Sequence, residues 1–178
     1  MKRLLTLCLA LLLCFGAARA DTLVVYFSCT GNTEQAAKTA AEALGAELWQ
    51  LVPEEPYTDA DLNYSNSACR ANLEQNDDTC RPAFVGAVDV TAYDTVIVAY
   101  PIWWGEEPRI IDTWLESVDL TGKRVATLCT SGGSGIGTAY AHLQEKAPDA
   151  RWLGARRFSA NVSLSDMTDW CASIGLEK

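Results

Sequence analysis

The chain of 178 residues has one histidine, His142, and no two of its seven cysteines stand in C-x-x-C spacing. A lone imidazole and scattered thiols argue against the common zinc frameworks and thioredoxin-type exchange. Basic charge is also scarce, with 14 Lys and Arg against 23 Asp and Glu for a net charge of −9. Such a surface repels nucleic acid and anionic lipid and attracts basic partners. No G-K-[ST] marks a P-loop, and no G-x-G-x-x-G follows the first strand pattern. A P-loop NTPase and a dinucleotide site are therefore not expected. The hydrolase elbow is missing too, because Gly132-Gly133-Ser134-Gly135-Ile136 ends on Ile where G-x-S-x-G needs glycine. No residue is assigned a catalytic or metal-binding role.

Long apolar runs are confined to the N-terminus. Lys2-Arg3 precedes an almost wholly apolar stretch from Leu4 to Leu13, and Ala18-Arg19-Ala20 is a small-x-small cleavage signal. That pattern predicts a signal peptide over 1–20, too short in its apolar part to span a membrane. The expectation is a periplasmic or secreted protein with no membrane contact once the signal is cleaved. Its single domain would be 21–178, large enough for one substantial core. Lys2, Arg3 and Arg19 leave with the signal and no acid does, which takes the net charge from −9 to −12.

Five cysteines would remain, an odd number for an oxidising compartment. Cys69 and Cys80 flank a polar segment with little apolar content to hold it. A disulfide there is expected, stabilising by roughly 3 kcal/mol on the chain-entropy model. Cys129 and Cys171 sit on apolar faces and read as core thiols.

Between the ends, strand-length apolar runs alternate with helical patterns. The spacing predicts strands over 22–27, 47–51, 95–100, 124–129 and 151–158. Helices are predicted over 34–44, 108–118, 137–146 and 166–174, with Ser165 as N-cap of the last. A βαβα order implies a doubly wound parallel sheet with helices on both faces. The polar segment 53–91 interrupts it as a long excursion.

In such sheets ligands bind outside the carboxyl ends of the strands. Three loops leave those ends. The first is Ser28-Cys29-Thr30-Gly31-Asn32-Thr33, rich in hydroxyls, without Lys or Arg, and opening a helix. Backbone N–H groups and hydroxyls there suit a buried phosphate monoester. The second, Pro101-Ile102-Trp103-Trp104-Gly105-Glu106-Glu107-Pro108, carries two adjacent indoles that could stack on a flat aromatic ligand. The third, Thr130-Ser131-Gly132-Gly133-Ser134-Gly135, lets N–H groups approach a heteroaromatic rim closely.

On these residues the chain resembles the flavodoxin family, in its bacterial branch with a Y-P-I-W-W-G-x-x-P loop. Tyr100 to Pro108 matches that loop, Ser28-x-Thr30-Gly31-x-Thr33 matches the phosphate loop, and the likeness covers about 21–176. The resemblance implies a five-stranded sheet of order 2-1-3-4-5 and FMN as cofactor. Ser28, Thr30, Gly31, Asn32 and Thr33 would hold the phosphate. Trp103 or Trp104 would stack on the ring, after Pro101 and beside a Gly105 backbone contact. Thr130, Ser131, Gly132, Gly133 and Gly135 would line the pyrimidine side. The leading expectation is an exported electron carrier whose redox partner is a protein with a basic face. An FMN-dependent reductase of quinones or other small acceptors is the first alternative. A non-redox binding module on the same fold is the second.

Overall fold

The computed structural model describes residues 22–178, so the predicted signal peptide and Asp21 lie outside the described residues. Five parallel strands form the central sheet: β1 (Thr22–Tyr26), β2 (Glu47–Gln50), β5 (Thr95–Pro101), β6 (Arg124–Thr130) and β7 (Arg151–Phe158). Their order is β2-β1-β5-β6-β7. That is the expected 2-1-3-4-5 once two short strands of the excursion, β3 (Val52–Pro53) and β4 (Phe84–Val85), are set aside.

Alternation along the strands divides the core in two. Leu23, Val25 and Phe27, with Val96, Val98 and Tyr100, face α3 (Arg109–Ser117) and α4 (Gly137–Lys146). Val24, Tyr26, Ile97 and Ala99 face α1 (Asn32–Leu44) and α5 (Leu164–Ser173). Helix α1 turns Ala36, Ala37, Ala40 and Ala41 inward, which lets its backbone lie close to the sheet. It ends at Gly45, a left-handed residue whose N–H returns to the carbonyls of Ala41 and Glu42. Cys129 and Cys171 are buried core thiols, as their spacing implied.

Three expectations are corrected. The N-cap of α5 is Ser163, not Ser165; its hydroxyl accepts from the Asp166 N–H. Ser165 lies inside the first turn of α5. The excursion is not merely loop. It holds the β3–β4 pair and the six-residue helix α2 (Arg70–Gln75). Third, Cys69 and Cys80 are not bonded, and all five described cysteines are free thiols. The segment between them is held by other means: Ala71 is fully buried, and Asn72, Glu74 and Gln75 are buried polar anchors. No helix among the described residues is long and apolar enough to cross a membrane.

Candidate functional site

The three strand-end loops are tied together by hydrogen bonds that converge on Thr130. Its hydroxyl bonds that of Thr33 in the first loop at 2.8 Å. Its carbonyl accepts from the Ile102 N–H of the second at 2.9 Å. Both threonines are buried. The first loop turns through Gly31, at φ +82°, a conformation that favours glycine. Helix α1 then makes its first backbone bond from Gln35 N–H to the Gly31 carbonyl. The N–H groups ahead of Gln35 in the turn have no partner within the helix, the arrangement that receives anions. In the third loop Ser131 organises the turn, its hydroxyl donating to the Ser134 carbonyl and accepting from Gly133 N–H.

These loops border a cleft of about 470 Å³, within the range that takes a cofactor. Ser28, Thr30, Asn32, Thr33, Pro101, Trp103, Thr130, Ser131 and Gly132 line it. Gly31, Trp104, Gly105, Gly133 and Gly135 do not; Gly31 and Gly105 shape the backbone at positive φ instead. Leu62 and Tyr64 from the excursion and Phe158, Ser159 and Ala160 after β7 also line the cleft. Sequence reasoning passed over them. The rule that ligands sit at strand ends would have found the last three, since β7 ends at Phe158. No Lys or Arg lines the cleft.

The two indoles have different surroundings. Trp103 is only 4% exposed and packs edge-on against Phe27, Tyr57 and Tyr64, with ring centroids 5.6, 5.3 and 6.5 Å away. Trp104 is 64% exposed and stands outside the cleft. Trp103 and Glu106 exchange backbone hydrogen bonds, which makes the segment a hairpin turn. Both central residues have positive φ, +53° at Trp104 and +90° at Gly105. Gly105 accepts that conformation readily, whereas a tryptophan there is strained.

Helix α2 supplies the restraint. The Asn72 side chain accepts from the Trp104 indole N–H at 2.8 Å and donates to the carbonyls of Tyr64 and Asn66. Gln75 donates to the carbonyls of Trp103 and Glu107 and accepts from Arg109 N–H. One short helix thus fixes both the aromatic loop and the Tyr64 wall. Cys29 lies half-buried in the first loop, and burial pushes its thiol up to about 12. Burial also raises the Tyr64 phenol to about 12. Both stay neutral at ordinary pH.

The cleft can hold a planar aromatic ligand bearing a phosphate. Hydroxyls and the N–H groups of the α1 N-terminus stand at one end, and Tyr64, Trp103 and Phe158 supply apolar surface.

The family model described as Flavodoxin matches residues 21–174. A provisionally named flavoprotein from Bacteroides eggerthii is 38% identical, with a TM-score of 0.85, over 89% of this chain and 99% of that one. Its counterpart from Bacteroides uniformis is also 38% identical, with a TM-score of 0.82, over 86% and 98%. A Lactobacillus acidophilus flavoprotein solved in complex with FMN is 26% identical, with a TM-score of 0.65, over 78% and 93%. No curated protein matches the chain.

Proposed function

Because the chain belongs to the flavodoxin family, we propose that it binds FMN noncovalently in the cleft between its three strand-end loops and transfers electrons. The observation that carries this reading is the stitching of those loops through Thr130, which sets a phosphate turn beside an aromatic wall. The FMN-bound relative from Lactobacillus acidophilus supports the choice of flavin.

Bound FMN would supply reversible storage of electrons. The chain's own residues do the rest. Ser28, Thr30, Asn32 and Thr33 present hydroxyl and amide groups to the phosphate. The N-terminus of α1 adds its dipole, so neutralisation needs no Lys or Arg. Tyr64 and Trp103 would offer apolar surface to the ring, and Ser131 and Gly132 would offer polar groups to it.

We further propose export, from the signal-like segment 1–20, and a redox partner with a basic face drawn by the chain's acidity. Reduced nicotinamides are cytoplasmic coenzymes, so export favours a carrier over an NAD(P)H-fed reductase. The test is the absorbance spectrum of chain 21–178 with and without added FMN. A shifted flavin spectrum that saturates supports the reading, and an unshifted one removes it. Adding NAD(P)H and a quinone then separates carrier from reductase, since a carrier gives no turnover.

A further inference from the structure

Glu107 and Asp112 are both fully buried, one closing the aromatic loop and the other in the first turn of α3. None of their four carboxylate oxygens has a hydrogen-bond partner. The nearest basic side chains stand off: Arg109 Nη1 is 3.6 Å and Lys146 Nζ 3.5 Å from Asp112, and the His142 imidazole Nδ1 is 3.8 Å from Glu107. The two carboxyl groups face successive turns of α4, Glu107 at His142 and Asp112 at Lys146. Two bare carboxylates in one dry pocket cannot both ionise without strong repulsion. A single proton removes the difficulty, because a protonated carboxyl donates to its neighbour and partners an oxygen on each side.

We propose that Glu107 and Asp112 share one proton, and that this proton holds the 101–108 loop in its cleft-lining conformation, making Glu107 a positioning residue. Burial first, and then the Asp112 charge, lifts the Glu107 carboxyl to about 8. Groups from every neighbouring element face the pair. Glu106 belongs to the same loop and Tyr100 to β5, Arg109 is on α3, and His142 and Lys146 are on α4. Asp78 lies beyond Arg109, which also pairs with Glu106. The charge left on Asp112 faces Arg109 and Lys146; a second charge on Glu107 would stand 3.8 Å from His142 and would share Lys146 with Asp112.

The link to the loop is short. Glu107 directly follows the Trp103–Glu106 hairpin, and its carbonyl is clamped by Gln75. Loss of the proton sets two like charges against each other at the base of that hairpin. The shared proton is a property of the apoprotein; its effect on flavin rests on the FMN reading above.

The experiment uses chain 21–178 and two variants. Infrared spectra of the apoprotein at pH 6.5 should show a protonated carboxyl band that Glu107→Gln removes. Hydrogen-exchange protection of the Trp103 and Glu106 amides, corrected for intrinsic rates, should fall about tenfold or more between pH 6.5 and 9.5. In Glu107→Gln it should stay constant, because the glutamine amide donates to Asp112 at every pH. FMN affinity should follow the same pattern. Asp112→Asn keeps a donor between the positions and gives the same prediction if Glu107→Gln does not fold. A wild type without the band, or a variant with the wild-type pH response, overturns the proposal. If FMN does not bind at any pH, the FMN reading fails, and the band and the exchange data still decide the shared proton.

Discussion

Replacing Thr33 by valine removes one partner of the hydrogen bond that ties the 28–33 loop to β6. The hydroxyls of Thr33 and Thr130 lie 2.8 Å apart, and the residues are 1% and 6% exposed. Valine has nearly the same shape, so the packing cost is small. The cost lies in the hydroxyl left behind. A buried polar group without its partner costs about 1–3 kcal/mol. Thr33→Val and Thr130→Val should therefore each destabilise the apoprotein by about 1–2 kcal/mol. The double variant leaves no orphan, so its loss should be no larger than that of one single variant. The cycle then gives a coupling of about 1–2 kcal/mol, well outside the few tenths expected of independent sites. Urea unfolding followed by tryptophan fluorescence measures all four corners. Additive losses would refute the idea that this bond joins the loops.

Asn72→Ala should free the Trp104 indole and let the strained hairpin relax, weakening FMN binding several-fold while changing stability by about 1 kcal/mol; flavin titration and urea melts check both. Trp103→Ala should cost about 3–5 kcal/mol as a core deletion, read from the urea midpoint. Cys29 should resist iodoacetamide at pH 7–8 despite its partial exposure, since a thiol pushed up to about 12 offers almost no thiolate; rapid labelling counted by mass spectrometry would contradict this. The Glu107 carboxyl titrates near about 8 in the folded chain, against roughly 4.3 when unfolded. The folded state then holds an extra proton between those values. Stability from this group is complete below about pH 4 and falls by a few kcal/mol as pH rises through about 8. Urea melts across pH should show that slope in the wild type and not in Glu107→Gln.

The sheet was legible because three of its strands, β1, β5 and β6, are short, apolar and rich in β-branched residues, as suits strands covered on both faces. Periodicity placed β7 and α4 at their observed ends. The turn 28–33 ahead of α1 was legible from its hydroxyls and its glycine. What escaped was the excursion. Helix α2 has six residues, too few for a periodic signal, and its buried face is polar. Asn72 and Gln75 read as surface residues until their partners, 28 to 34 positions away, are known. That same polarity suggested a segment needing a Cys69–Cys80 bond, when buried amides already secure it. The two tryptophans are adjacent in sequence, and only the positive-φ turn shows that Trp103 faces the cleft while Trp104 faces out.

The central claim is that the turn 28–33 holds the phosphate of FMN. Parallel titration of chain 21–178 with FMN and with riboflavin, which lacks only that phosphate, tests it most directly. Two charge-assisted hydrogen bonds at about 1.5 kcal/mol each predict FMN binding on the order of 100-fold tighter, one per chain. Equal affinity for the two flavins, or no binding of either, would contradict the account.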